Sequence, residues 1–256
     1  MIILNEIAWV EDVIHNPDIG EQPFETFRRL ARYYLDRGYS EEEARDNLDV
    51  FLIRCDATAS LVKWSDFLDG VMKAAKKHPL VNIDEIVITK SEMEIISSIK
   101  QRQAQRLAFT LLCLAKFRTV VNPECNYWVS DSAQEIMKLA DIKTSMRKQS
   151  KMYYDLHEDG LLEFAVRVDN TSVRVTFVNE ESEPVLHIND FRNLGYQYMQ
   201  YTGVECAQCE NCGLIMSPRS VVSGRPQKYC GRCASEIATK QRVDWMTKHR
   251  EYITNL

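Results

Sequence analysis

Long apolar runs are missing from this chain of 256 residues. The longest mostly apolar stretch, Leu107 to Phe117, is interrupted by Thr110 and Lys116 and is too short to span a bilayer. Internal repeats and low-complexity segments are missing too, and nine glycines and seven prolines are too few for a collagen-like fibre or a disordered Pro/Gly-rich chain. The opening residues Met1 to Glu6 carry no basic group, and Glu11 and Asp12 arrive before a leader's apolar region could form. No signal peptide is therefore expected, and the expected compartment is the cytoplasm. Also absent are H-E-x-x-H, G-x-S-x-G and the P-loop pattern G-x4-G-K-[ST], so the chain is expected to be neither an enzyme nor an ATP-driven motor. Carboxylate pairs such as Glu158-Asp159 read as solvated helix ends.

What is present is ordinary globular composition, 45% hydrophobic and 27% charged, with length for two or three small cores. The net charge of −5 excludes a molecule that is electrostatic glue for nucleic acid as a whole. The charge is uneven, however. Residues 1–90 carry 11 Lys+Arg against 17 Asp+Glu, residues 91–205 carry 13 against 16, and residues 206–256 carry 8 against 4. Only the last segment is net basic, and it holds five of the eight cysteines.

The pattern predicts a mainly α fold with small β elements, in three parts: an acidic helical bundle over 1–90, a middle domain over 91–203, and a cysteine segment over 204–256. In the first part, Phe24, Phe27, Leu30, Ala31, Tyr34 and Leu35 recur at helical spacing and stop at Gly38. Ser40 and Glu43 form a capping box for a second helix carrying Ala44, Leu48, Phe51 and Leu52. A third, with Leu61, Trp64, Phe67, Leu68 and Val71, runs from Ser60 to about Lys77 before His78-Pro79. Nothing here has catalytic spacing, so the bundle reads as scaffold or as a docking module for a protein partner.

In the middle part, Ile83 to Thr89 alternates weakly like a connecting strand, and one long helix is expected from Ser91 to about Phe117. Ser132 and Glu135 form a further capping box for a short helix with Ala133, Ile136, Met137 and Ala140 inward. A second helix is expected from Thr144 to His157, with Met146, Tyr153 and Leu156 on its apolar side and Gly160 closing it. Leu162, Phe164, Val166 and Val168 then alternate with period two, followed by the turn Asp169 to Ser172 and by Val173, Val175 and Phe177, the signature of a β-hairpin. Helix, short helix, helix, hairpin is the order of a winged helix-turn-helix domain. A strand from Val185 to Ile188 and a helix from about Asp190 to Tyr201 follow.

In the last part, Cys209-x2-Cys212-x17-Cys230-x2-Cys233 lies within the spacing of a four-thiolate zinc site. Two residues between cysteines let a tight turn aim both sulfurs at one ion. Gly213 suits a knuckle, Leu214 to Tyr229 suit a loose hairpin, and Ala234, Ile237, Ala238, Gln241 and Trp245 suit a helix that starts at the second pair, whose dipole favours thiolate. Cys206 competes for a place as ligand, because Cys206-x2-Cys209 is also a pair; the glycine after Cys212 favours Cys209 with Cys212. A closed four-cysteine shell has no open position for substrate, so the zinc is expected to be structural. A nuclease built on such a frame needs histidines near the hairpin; residues 213–229 contain none, and His249 stands alone in the segment. Cys55, Cys113 and Cys125 read as small hydrophobes or inert thiols.

Lys138 to Lys151 hold five positive residues against Asp141, a local +4 inside a segment of net −3. Were the second of the paired helices a reader of the DNA major groove, Lys143, Thr144, Arg147, Lys148 and Lys151 would form its outward face. Arg167 and Arg174 would flank the hairpin tip, and Lys240, Arg242, Lys248 and Arg250 on the terminal helix would supply further phosphate contacts. Each of these also reads as an ordinary solvated charge.

Trp128-Val129-Ser130, Leu156 to Leu162, and Gln227-Lys228-Tyr229-Cys230 carry a resemblance over residues 91–256 to the winged-helix and treble-clef zinc-finger proteins of phages, prophages and plasmids of low-GC bacteria. The resemblance implies DNA-binding accessory functions: replication initiation, helicase loading or transcriptional control. Two roles stay open. One is a DNA-binding protein whose acidic bundle recruits a protein partner, with a homodimer as one form of assembly. The other is a pure protein-interaction module, such as a phage-encoded inhibitor of a host or defence enzyme. No membrane partner is expected.

Overall fold

The structure, a computed structural model, describes residues 2–76, 79–166, 172–218 and 227–254, with residues 248–254 described by backbone alone. Contacts divide the chain into two compact units, Met1–Glu85 and Ile86–Leu256.

The first unit packs α1 (Glu6–His15), α2 (Pro23–Asp36), α3 (Glu41–Cys55) and α4 (Leu61–Ala75). Phe27 is its centre, fully buried among Phe51, Trp64 and Phe67 with ring centroids 5.5, 5.9 and 6.0 Å away. The two sequence stop and start signals between α2 and α3 both operate. Gly38 adopts φ 86° while Tyr39 N–H bonds back to the Tyr34 carbonyl, and Ser40 and Glu43 exchange hydrogen bonds in a capping box. α1 is an element the periodicity did not reveal. Its signals were the cap, Asn5 accepting from Ala8 N–H at 2.8 Å, and the buried pair Val10 and Val13. Glu6 in its first turn is buried and bonded to Arg29 (2.8 Å), Arg32 (2.9 Å) and the Val81 amide (2.9 Å).

In the second unit, β1 (Ile86–Thr89) pairs antiparallel with β5 (Pro184–Ile188), so the unit begins at Ile86 rather than at residue 91. The single long helix expected from Ser91 is instead two, α5 (Lys90–Ser98) and α6 (Arg102–Val121). The break has a local cause. Ser97 and Ser98 hydroxyls donate to the Glu94 and Ile95 carbonyls, Ile99 turns extended at ψ 124°, and Gln105 Nε2 caps the Ile99 carbonyl at 2.7 Å. α6 is buried without interruption from Leu107 to Phe117 and touches α5, β1 and several of the later elements of the unit, which explains its near-continuous apolar sequence. Its one buried cation, Lys116, meets buried Glu92 at 2.9 Å and donates to the Val87 carbonyl at 2.8 Å.

After α6 come the strand β2 (Trp128–Val129), α7 (Ala133–Leu139), α8 (Met146–Glu158), β3 (Leu162–Phe164) and β4 (Val173–Val175). The three strands form an antiparallel sheet in the order β2-β4-β3, with Leu162 opposite Val175 and Phe164 opposite Val173. Residues 167–171, on which Val168 and most of the expected turn Asp169 to Ser172 fall, lie outside the described residues. Two inward expectations fail: Ala133 is exposed because it opens α7 before the helix meets the core, and Met146 is 82% exposed at the first position of α8. On the alternating strand Phe164 and Val166 are 42% and 100% exposed, Phe164 with its ring 4.7 Å from that of His157. The anchor of α8 is Met152 with Leu156. Its end follows the expected glycine: Gly160 adopts φ 74°, and Leu161 N–H returns to the Leu156 carbonyl. α9 (Leu194–Tyr201) then packs on α6, with Tyr198 5.3 Å from Phe109, and α10 (Gly231–Thr254) closes the chain. Among the described residues no helix is long and apolar enough to cross a membrane.

Candidate metal centre and cationic helix face

The first cysteine pair sits on a turn that sequence makes almost unaided. Gly213 takes φ 70°, its N–H bonds to the Cys209 carbonyl, Cys209 N–H bonds to Leu214, and Gln208 bridges to Ile215. The second pair brackets the start of α10, with Cys230 just before it and Cys233 in its first turn. This brings the Sγ atoms of Cys209, Cys212, Cys230 and Cys233 within 4.8 Å of one another. The Cys212 to Cys230 distance of 3.8 Å is no disulfide. It equals the edge of a tetrahedron with metal–sulfur bonds of about 2.3 Å, roughly 3.8 Å, so the residues fit a divalent soft ion such as zinc. Cys206 stands apart, its Sγ 3.8 Å from the Tyr196 carbonyl.

The electrostatics suit a cation. Burial opposes charging Cys209, but the amides of Cys230, Cys212 and Asn211 outweigh it and bring its thiol down to about 6. Cys233 accepts from Asn211 Nδ2 at 3.3 Å, yet burial and the neighbouring thiols push it up to about 12. One thiolate thus forms readily and makes the next ones costly; a bound dication removes that cost. Asn211, together with Arg192 next to Cys212, forms an outer layer that the cysteine spacing did not reveal. Asn211 lies inside the motif, but nothing in the sequence marks Arg192, which comes 20 residues before Cys212. Of the remaining thiols, Cys113 is fully buried and pushed up by burial, while Cys55 and Cys125 are half-buried.

On α8 the exposed side chains include Arg147, Lys148 and Lys151, with Lys143 exposed in the preceding loop. Thr144 is half-buried and its carbonyl accepts from Gln149 Nε2 at 3.0 Å. Tyr154, 56% exposed, adds an aromatic to this side, and half-buried Tyr153 faces the anchor residues, its hydroxyl pushed up by burial. Arg174 lies mid-strand on β4, half-buried, with its NH1 3.1 Å from Glu163 and its Nε donating to the Asn126 carbonyl. Arg167 lies outside the described residues. Lys240 and Arg242 are exposed on α10, and the side chains of Lys248 and Arg250 lie outside the described ones. The helical face expected from Ala234 to Trp245 covers little: Cys233 is buried and Ile237 half-buried, whereas Ala234, Ala238, Gln241 and Trp245 are exposed.

No family model, no curated protein and no solved structure matches this chain.

Proposed function

We propose that the chain is a non-enzymatic DNA-binding protein of a mobile genetic element, acting in replication initiation or transcriptional control. In this reading α7 and α8 with the sheet β2-β4-β3 act as a winged helix-turn-helix, and the four-cysteine centre is the structural zinc site of a treble-clef finger. The observation that carries it is the outward side of α8. Arg147, Lys148 and Lys151 stand exposed on a helix that buried Met152 and Leu156 hold to the unit, so the helix offers cations without giving up its anchor. Helix α8, Met146–Glu158, follows α7 across residues 140–145, and an α-helix about 10–12 Å across fits a major groove about 12 Å wide. Cys209, Cys212, Cys230 and Cys233 would hold the zinc, which would supply a cross-link for a segment too small to have a core of its own.

The test is fluorescence anisotropy on random-sequence duplex across a salt series, followed by selection of bound fragments from a random pool. Arg147→Ala, Lys148→Ala and Lys151→Ala should each weaken binding, and each lost phosphate contact should reduce the log–log salt slope by roughly 0.9. A triple variant that binds with unchanged affinity and slope removes α8 as the reader. Absence of binding to any duplex favours the protein-interaction role instead, for which the acidic first unit would be the docking surface.

A further inference from the structure

The segment from Asp190 to Gln197, which runs from the loop after β5 into the first turn of α9, touches the cysteine knuckle with one side and the α7–α8 turn with the other. On the knuckle side, Arg192 NH2 donates to the Cys212 carbonyl at 2.9 Å and NH1 approaches Cys212 Sγ at 3.6 Å. Asn193 Nδ2 donates to the Ile215 carbonyl at 2.8 Å. Arg192 is itself held by Asp190 at 2.7 Å, and Gln197 Nε2 ties the segment together by donating to the Asp190 and Arg192 carbonyls at 2.6 and 2.9 Å. Asn193, at φ 53° and ψ 46°, is the N-cap of α9.

On the other side the fit leaves no slack. Gly195 lies against Ala140, where a Cβ would come within 2.0 Å of the Ala140 carbonyl oxygen. The next residue, Tyr196, donates its N–H to the Asn193 carbonyl at 2.9 Å, and its amide lies near the carboxylate of Asp141, which takes the left-handed conformation at φ 54° in the turn between α7 and α8. A displacement of the start of α9 by even an ångström therefore has to be taken up by the Ala140–Asp141 turn.

The knuckle has little apolar support of its own, since its cluster consists of Cys209, Met216, Cys230 and Cys233 with a few half-buried neighbours. Its order therefore depends on the ion. Four thiolates around one dication also leave a formal charge of about −2, which a guanidinium at Cys212 offsets.

We propose that Arg192 and Asn193 are positioning residues that couple the four-cysteine centre to the α7–α8 turn, so that metal binding and the seating of α8 form one linked equilibrium. This rests on the metal reading above and not on DNA binding. By linkage the coupling works in both directions: whatever fixes α8 also tightens the hold on the metal.

Hydrogen exchange on the full chain under reducing conditions, zinc-loaded and chelator-stripped, tests it. Stripping should speed exchange about tenfold or more at the Ile142 and Tyr196 amides as well as at Gly213, while α6 stays protected. In an Arg192→Leu/Asn193→Gly variant, which keeps the left-handed turn accessible, zinc affinity measured against a chromophoric chelator should fall about 10- to 100-fold. Ile142 and Tyr196 should then ignore the metal. Wild-type exchange that changes at Gly213 but not at Ile142 and Tyr196 overturns the coupling, as does faster exchange spread evenly through α6. A variant that binds zinc as tightly as the wild type also overturns it. A wild-type chain that retains neither zinc nor cobalt fails earlier, at the metal centre itself, and takes the coupling with it.

Discussion

Asp141 is charged at a cost. It sits half-buried in the turn before α8, and its Oδ2 has no hydrogen-bond partner among the described residues. Burial raises its carboxyl to about 7, outweighing the pull of Arg106 on α6, the Tyr196 amide and Lys143, and the Cys206 thiol also feels its charge. In the unfolded chain the same carboxyl titrates near pH 4, roughly 3.9. The folded state therefore binds a proton more tightly than the unfolded state. The stability this contributes is fully present below about pH 4 and is lost as pH rises through about 7. Asp141→Asn keeps a side chain that tolerates the left-handed backbone and deletes the charge. Its thermal midpoint should exceed that of the wild type at pH 8, and its dependence on pH between 4 and 8 should be flatter in circular-dichroism melts. A variant with the wild-type pH profile would mean that Asp141 ionises there without penalty.

At the scale of elements, polar pins decide how helices meet. Glu6 joins α1 to Arg29 and Arg32 on α2 and to the Val81 amide, with all three charged side chains buried. Removing one member leaves uncompensated charge, which costs more than the intact group contributes. Glu6→Ala should lower the unfolding free energy of the first unit by about 3–5 kcal/mol in urea titrations. Substitution at Glu25, which is partly exposed and paired with Arg28 within the same helix, should cost under about 1 kcal/mol. If the two substitutions cost the same, Glu6 does not pin the unit. The same contrast explains why α8 can be cationic at all: its hold on the unit comes from Met152 and Leu156, so its outward positions are free of packing duty.

At the scale of the molecule, the chain separates its chemistry. The first unit has its own apolar core, built from Val10 and Val13 through Phe27, Leu48 and Phe51 to Leu68 and Val71. A fragment of residues 1–85 should therefore keep its helical circular dichroism and melt in one cooperative transition; a non-cooperative melt would deny it an independent core. The excess acid lies in this part, and the basic excess lies with the cysteines. Exposed cations gather on α8 and toward the end of the chain, against an overall net charge of −5.

How much of this was legible differs from one residue to the next. Capping boxes at Ser40 and Ser132 and stops at Gly38 and Gly160 could be read because each is local: a side chain or a left-handed glycine serves groups within a few residues of itself. The break between α5 and α6 escaped because Ser97 and Ser98 compete with the helix by hydroxyl bonds that periodicity does not register. Apolar spacing points Met146 and Ala133 inward, since it cannot tell which turn of a helix reaches the core.

The helical class, the hairpin, the uneven charge and the four cysteines are legible in the residues alone, because periodicity, turn chemistry and ligand spacing act over a few residues and need no partner from elsewhere. The pairing of β1 with β5, the meeting of Glu92 with Lys116, and the hold of Arg192 and Asn193 on the knuckle while Gly195 presses on Ala140 come from the folded chain. Those contacts join residues from 20 to about a hundred positions apart. What selects them is burial and the need to pair each buried polar group, conditions that exist only once the chain has closed on itself.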